Sequence, residues 1–422
     1  MKRNAFILTH AVDARWFLEL KRIKMPLLIR AFSVDIYKAK DDYLRFITNP
    51  KYNPEPFYPN LDLTLATDAY QELSVLRDSI LQQEQEKSIR ELYVQKIDEM
   101  QLELEMQQAS ARKEWDRFKE LNEKRYGTLN TEIVAEMRNR LALRYQSFTP
   151  SREAAGSIAQ LRTSITSERL HQIRGYLHAP QLKGLEPERV YEALEIQALW
   201  NEALQEEAPG WKSEVSDHHL VVCVNTRLRR LFIPAFLKVR GGKLQKLFAH
   251  EVGAHIRRRI HGKQSRLQLL STGLPHYESS EEGLALLIEQ SLKERFLDFG
   301  GHDKYLSLAL ATGAFDGQLR DFKETYAVLA EYFYERKKKA HSEETSRRLS
   351  QERAWSLAWR VFRGSDPSVP GACFLKDKIY REGNINVWRC ILNDASILAD
   401  AYLGKYDLCD DSQRSTAILF RQ

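Results

Sequence analysis

The stretch His250-Glu251-Val252-Gly253-Ala254-His255 places two histidines five positions apart, with a glutamate directly after the first. Neutral imidazole is a common metal ligand, and two imidazoles with one carboxylate form a set that leaves one zinc position for water. These residue types therefore predict a helix that carries a catalytic metal centre. Glu251, beside the first ligand, is placed to take a proton from the water.

The spacing of the two histidines does not suit a regular α-helix. Residues i and i+4 differ by about 40° around the helix axis, whereas residues i and i+5 differ by about 140°. One extra residue, absorbed as a π-type bulge, would restore the alignment, and Gly253 makes a distorted backbone easier to adopt. We therefore predict an irregular helix between Glu251 and His255. On spacing alone, a regular helix with two unrelated histidines remains the alternative.

A second acidic segment, YESSEE at residues 277–282, offers candidates for the third ligand. An acidic residue that opens a helix about 25–30 residues downstream is where HExxH-type proteases often find this ligand. Glu281 and Glu282 lie about 100° apart around a helix, so only one of them can point at the metal. The other is then expected to be a carboxylate near the helix N-terminus, stabilised by the helix dipole.

The sequence around the motif predicts a mostly helical α+β protein with a small antiparallel sheet next to the histidine-bearing helix. Residues 220–224 and 228–235 form two apolar runs around Asn225-Thr226, which indicates a hairpin, and a helix begins near Lys243. No proline occurs between Pro59 and Pro150, and good helix formers there predict two or three long helices.

Other stretches set the limits of these elements. Tyr126-Gly127 is expected to end one helix, and Asn130 or Thr131 to cap the next. The proline-free stretch 276–366 predicts helices, and the glycine-containing stretch 364–383 predicts a loop with a short strand. We expect an N-terminal segment over residues 1–59 with a proline-rich connection, a helical region over 60–210 and a catalytic region over 211–422.

Composition excludes several other classes of protein. The 422 residues are 43% hydrophobic and 29% charged, as in a folded protein with a real core. No apolar run approaches the about 18–20 residues that cross a bilayer. The 64 basic and 58 acidic residues are interspersed, without the basic stripe typical of nucleic-acid binding. Four scattered cysteines without CxxC spacing favour a reducing compartment, so we expect a cytoplasmic protein with neither nucleic-acid nor membrane partner.

Two segments, HEVGAHIRR at 250–258 and GLPHYESSEEGLALLIEQ at 273–290, resemble the QEGLA-motif family. Its bacterial members are described as flavohaemoglobin-expression-modulating proteins. Its animal members are the microtubule-associated tyrosine carboxypeptidases, zinc peptidases that remove the C-terminal tyrosine of α-tubulin. RRLFIP at 229–234, RVFRG at 360–364 and FLKDKIYREG at 374–383 also look like family segments. We therefore expect similarity over residues 35–410, as one continuous family domain.

The resemblance implies a gluzincin-like site with one zinc ion per chain. The family motifs HExxxH and (E/Q)EGLA, matched position by position, make His250, His255 and Glu282 the zinc ligands and Glu251 the general base. Dipeptidyl peptidase III, with HExxGH and a downstream EE segment, is an independent example of this spacing. The chain departs from the family at Ala254, where threonine is usual, and at Glu281, where glutamine is common.

Further residues are candidates for handling a substrate. His276, Tyr277 and Tyr380 could donate to a tetrahedral oxyanion, although an ordinary loop histidine and half-buried tyrosines are the alternative. The substrate's terminal carboxylate needs a cation. The available cations are Lys376, Arg381, Arg363 and the run Arg257–Arg259, and of these we favour Lys376 and Arg381.

Two further expectations concern the helices themselves. The run Arg257–Arg259 is expected to form a solvated helix face. Glu289, two turns after Glu282, could orient a ligating imidazole, with a surface carboxylate as the alternative.

We therefore predict a zinc metallopeptidase, and by resemblance a carboxypeptidase that removes a tyrosine-like residue from a peptide or protein tail. Two alternatives remain open at this point. One is a binding protein that retains a metal site, and the other is an endopeptidase or aminopeptidase with the same metal-hydrolase chemistry.

Overall fold

The computed structural model describes residues 11–26, 53–54, 63–142, 150, 156–177, 179–219 and 221–421. The chain divides into two compact units. The first comprises residues up to 19 with 161–300 and 379–422, and the second comprises 20–160 with 301–378. The domain boundaries expected at residues 59 and 210 stay predictions, and most of the proline-rich connection lies outside the described residues. No helix in the described part is long and apolar enough to span a bilayer.

The second unit contains helices on both sides of its break in the chain. They are α2 (Leu63–Gln83), α3 (Lys87–Ala111), α4 (Trp115–Tyr126), α5 (Thr131–Ala142), α12 (His302–Ala311), α13 (Phe322–Lys337) and α14 (Glu343–Val361). The apolar positions of α2, such as Leu73 and Ile80, are buried, as their helical spacing requires. The helices expected over 276–366 are confirmed.

The long segment before Pro150 forms four helices in its described part, more than the two or three expected. The extra breaks lie at residues 84–86 and 112–114, where neither proline nor glycine marks them. The other two limits are confirmed: Gly127 ends α4 with a φ of 75°, and the side-chain oxygen of Asn130 accepts a hydrogen bond from the Ile133 N–H. Sequence signals thus found the breaks that depend on special backbone residues and missed the others.

The first unit holds the strands. They are β1 (Val190–Glu192), β2 (Lys212–Ser216), β3 (Cys223–Asn225), β4 (Arg230–Pro234) and β5 (Lys238–Arg240). β1 pairs antiparallel with β5, and β3 pairs antiparallel with β4, which confirms the hairpin. β2 runs parallel to the other side of β4, an arrangement the sequence did not indicate. Parallel neighbours need a longer connection than a tight turn, and here β3 lies on the chain between β2 and β4.

The first unit also contains helices. They are α7 (Ser167–Leu177), α8 (Ala193–Glu207), α9 (Gly241–His250), α10 (Arg257–Gly262), α11 (Tyr277–Ser291), α16 (Ile397–Asp400) and α17 (Asp411–Leu419), with α1 (Ala14–Arg22), α6 (Gly156–Ser164) and α15 (Lys378–Asn393) at unit boundaries. One apolar cluster joins α8, β4 and α9 through Trp200, Leu231 and Phe248. This core fixes the helix that bears His250 against the sheet.

The short strand expected within residues 364–383 is wrong. A 3₁₀ turn (Leu375–Asp377) leads directly into α15, which includes Gly383. Residue 383 lies inside this helix and has to be glycine, because a side chain there would overlap the carbonyl oxygen of Ser279 on α11. A glycine that looked like a loop signal therefore serves close helix packing instead.

The contact between α11 and α15 leads to a stability prediction. We expect Gly383→Ala to lower the free energy of unfolding by about 1–3 kcal/mol, because the new Cβ meets backbone that cannot rotate away. The matched control is Gly175→Ala in α7, where an added Cβ meets nothing within 4 Å. Chemical denaturation of both variants checks this, and equal midpoints for the two would contradict the packing.

Candidate metal centre

The two histidines of the motif lie on an irregular helix, as predicted. α9 ends at His250, residues Glu251–Ile256 form one turn of π-helix, and α10 begins at Arg257. The Arg257 N–H donates to the carbonyl of Val252, five residues earlier. This hydrogen-bond pattern brings residues i and i+5 to the same face, so the imidazole centroids lie 5.1 Å apart.

Packing on the opposite side of the π-helix stabilises its shape. Val252, Ala254 and Ile256 are buried, with at most 1% of each exposed. A Cβ on Gly253 would come within 3.0 Å of the Pro180 ring, so the absence of a side chain permits this close approach. Glycine at this position is therefore favoured by close packing as well as suited to a distorted backbone.

The third member of the cluster comes from α11. Glu282 Oε2 lies 3.4 Å from His250 Nε2 and 3.9 Å from His255 Nε2. One ligand atom from each of these three residues lies within 4.8 Å of the others, a group found once among the described residues. The side chains are 13–17% exposed, so solvent reaches them. The structure thus brings together the three residues that the sequence suggested as ligands.

Each imidazole is held by a second glutamate. His250 Nδ1 lies 2.7 Å from Glu289 Oε1, and His255 Nδ1 lies 2.8 Å from Glu281 Oε1. A carboxylate accepts the Nδ1 proton of a neutral imidazole, which leaves the Nε2 lone pair directed at Glu282 and the space beside it. Glu289 therefore occupies the orienting position considered from the sequence. Glu281 contacts His255, rather than serving only as a carboxylate near the helix N-terminus.

The electrostatics of the cluster favour a positive charge. Burial lowers the pKa of His250, but hydrogen bonds to Glu282 and Glu289 outweigh it and raise that pKa well above its ordinary value. Burial raises the pKa of Glu251, and the nearby carboxylates Glu282 and Glu289 add to this rise, whereas the two histidines oppose it. The neighbouring carboxylates therefore decide the direction of the shift at His250, whereas burial is the main cause of the shift at Glu251.

The arginine run after the motif is not the solvated face expected from the sequence. Arg258 and Arg259 are 0% and 6% exposed. Arg258 Nη1 donates to Glu281 Oε2 at 3.1 Å, and Arg259 donates to the carbonyl of Ser271. The shift in helix phase at the π-turn moves these residues inward, an effect that a regular helical projection cannot anticipate.

Sequence reasoning missed two residues near the His-His-Glu cluster and Glu251. Lys405 forms an ion pair with Glu281 from a distant part of the chain. Cys223 on β3 lies near Glu251. Burial raises the pKa of the Cys223 thiol to about 11, and the negative charge of Glu251 contributes to the rise. Neither residue belongs to a motif, so only the folded chain shows their positions.

The other predicted residues of the first unit have varied environments. His276 is exposed and adopts a left-handed conformation just before α11, and Tyr277 is the first residue of that helix rather than part of a loop. Tyr380 is half-buried in the first turn of α15. Arg381 is fully buried, donates to the carbonyl of Phe299 at 3.1 Å and lies 3.7 Å from Asp298. Arg381 therefore presents no exposed surface to a substrate.

Lys376 and Arg363 belong to the second unit. Arg363 forms a buried, two-point ion pair with Asp377, which also binds Arg360. The two arginines hold the pKa of Asp377 well below its usual range, although burial alone would raise it. Lys376 lies half-buried in the 3₁₀ turn beside Asp377. The pairing gives Arg363 a structural contact within its own unit.

Fold and cluster together define a mostly helical α+β protein in which two histidines at a π-helical turn meet a glutamate from α11. Residues 151–298 match the family model of the microtubule-associated tyrosine carboxypeptidases, which confirms the resemblance. This segment contains the His-His-Glu group and Glu251, but it is shorter than the expected 35–410, and Lys376, Tyr380 and Arg381 lie beyond it. None of the curated proteins and none of the solved structures matches the chain.

Proposed function

We propose that this protein is a zinc-dependent carboxypeptidase that removes a C-terminal aromatic residue from a peptide or protein tail. The observation that carries the proposal is the geometry of His250, His255 and Glu282, whose ligand atoms converge while other carboxylates orient both rings. The direction of cleavage is supported by the family match over residues 151–298.

Distances and donor types support zinc. Ligand atoms about 2.0–2.1 Å from a tetrahedral zinc ion lie about 3.3–3.5 Å from one another. The separations of 3.4 and 3.9 Å between Glu282 Oε2 and the two Nε2 atoms need only small side-chain adjustments to reach this geometry. Two imidazoles and one carboxylate leave a fourth position for water, as in catalytic rather than structural zinc sites.

The charge balance also supports a divalent cation. Four carboxylates and two cations surround the imidazoles: Glu251, Glu281, Glu282, Glu289, Arg258 and Lys405. With neutral imidazoles, these groups carry a formal charge of two negative units. One divalent cation would neutralise that charge, and the partly enclosed site gives such neutralisation a large electrostatic effect.

Bound zinc would supply Lewis-acid activation of water and of the peptide carbonyl. Glu251 follows the ligand His250 directly, and burial raises the pKa of its carboxyl, which makes it a better proton acceptor than an exposed glutamate. It would accept a proton from the attacking water and return it to the leaving amine. Glu289 and Glu281 would keep the two imidazoles in the correct tautomer throughout this cycle.

The experiment that tests the function compares peptides blocked at either end. Zinc-loaded protein is incubated with a peptide ending in tyrosine, its C-terminal amide and its N-acetylated form, and the products are identified by mass spectrometry. We expect loss of one C-terminal residue from the free and acetylated peptides. The amide should react at least about 100-fold more slowly, because an exopeptidase of this kind uses the charged terminal carboxylate to position its substrate.

Other outcomes separate the alternatives. Internal cuts, or loss of N-terminal residues, would replace the carboxypeptidase assignment with an endopeptidase or aminopeptidase that uses the same metal centre. A protein that binds zinc stoichiometrically and cleaves none of the three peptides, nor a mixed peptide library, would instead be a binding protein with a retained metal site.

A further inference from the structure

We propose that Lys405, together with Arg258, is a positioning residue of the metal centre: the two cations hold the Glu281 carboxylate that orients His255. This inference rests on the proposed metal site. It assigns part of the zinc affinity to Lys405, which follows the ligand His255 by 150 positions. Neither cation contacts the ligand directly. Both act through the carboxylate that they share.

The Glu281 carboxylate is enclosed by three partners. Its Oε1 accepts hydrogen bonds from His255 Nδ1 at 2.8 Å and from Lys405 Nζ, and its Oε2 accepts one from Arg258 Nη1 at 3.1 Å. Only 3% of its side chain is exposed. Buried polar atoms need hydrogen-bond partners, and a buried charge needs an opposite charge beside it. Lys405 and Arg258 therefore hold the Glu281 carboxylate in place beside the His255 N–H.

The backbone around Lys405 is fixed independently of its side chain. The Lys405 N–H donates to the carbonyl of Leu270 at 2.7 Å, and its own carbonyl accepts from the Leu274 N–H at 2.9 Å. Arg258 donates to the carbonyls of Gly404 and Tyr406, each at 2.7 Å. The segment 404–406 is thus held against Arg258 by these two hydrogen bonds, and it places the ammonium group of Lys405 beside Glu281.

The second imidazole provides a natural comparison. Glu289, which holds His250, has 27% of its side chain exposed, so water solvates part of its charge. Glu281 has almost no contact with water and depends on protein cations instead. Each of the two carboxylates therefore orients one imidazole, but Glu289 is partly solvated and Glu281 is buried. Removal of Lys405 should affect only the His255 side of the centre.

The test measures zinc affinity by competition with a chromophoric chelator in the full-length protein. We expect Lys405→Met to weaken zinc binding by about 10–100-fold, the range seen when outer partners of metal ligands are removed. Lys405→Arg, which keeps the charge and can still donate, should stay within a few-fold of wild type. If the methionine variant does not fold, Lys405→Gln makes the same comparison, because it removes the charge and keeps one donor.

A double-mutant cycle shows whether the effect passes through Glu281. Lys405→Met should add little to the loss of affinity in Glu281→Gln, whereas it should be additive with Glu289→Gln. Additivity with Glu281→Gln, or wild-type zinc affinity in folded Lys405→Met, would overturn the proposal. Thermal unfolding of each metal-free variant separates a change of affinity from a loss of folded protein.

A second readout needs no metal. In metal-free protein, ¹⁵N NMR distinguishes the two tautomers of His255. We expect the Nδ1-protonated tautomer in wild type and in Lys405→Arg, and a mixture in Lys405→Met. Unchanged tautomers in Lys405→Met would refute the positioning role. Failure of wild type to bind zinc would refute the proposed function alone, since the tautomer comparison still decides the role of Lys405.

Discussion

Glu251→Gln is expected to lower turnover of a peptide with a free C-terminal tyrosine by about 10³-fold while zinc content stays at the wild-type level. General-base catalysis typically contributes about 10²–10⁴-fold, and an amide cannot accept the proton of the attacking water. The substitution preserves side-chain shape, and Glu251 is not one of the three residues whose ligand atoms converge. Turnover measured together with metal analysis checks both halves of the prediction.

The control for this variant is Glu294→Gln, which changes an exposed glutamate just beyond α11. It should retain both zinc and wild-type turnover. Zinc-loaded Glu251→Gln that cleaves at the wild-type rate would mean that another group accepts the proton. Loss of zinc in Glu251→Gln would instead show that this carboxylate contributes to metal binding.

His255→Ala is expected to reduce zinc affinity by more than about 100-fold and to remove activity with it. The loss should exceed the about 10–100-fold that follows removal of an outer partner, because here a ligand itself is removed. His255 also connects Glu281 to the centre through its Nδ1, so the substitution leaves a buried carboxylate with one donor fewer. Metal analysis of protein purified without added zinc measures the effect.

A nearby histidine provides the matched control. His261 lies on α10, six residues after His255, and its Nδ1 contacts the carbonyl of Tyr402 instead of the cluster. His261→Ala should therefore keep wild-type zinc content. Equal zinc in wild type and His255→Ala would exclude the proposed centre, whatever the activity of the protein.

The sequence by itself determined the features that depend on local chemistry. An H-E-x-x-x-H spacing cannot bring both imidazoles to one face of a regular helix, so the irregular turn between Glu251 and His255 could be predicted once both histidines were interpreted as ligands. The β3–β4 hairpin and the helix limits at Gly127 and Asn130 were likewise readable, because they rest on apolar runs, a positive φ and a capping side chain.

Tertiary structure alone decided the features that depend on residues far apart in the chain. The parallel pairing of β2 with β4 and the inclusion of Gly383 in α15 arise from packing partners that no local pattern names. The same holds for the burial of Arg258 and for the contacts that Arg258 and Lys405 both make with Glu281. Metal-ligand types are visible in a sequence because their chemistry is local. The groups that orient the ligands and balance their charge come from distant parts of the chain, because which polar groups become buried together depends on the whole folded unit.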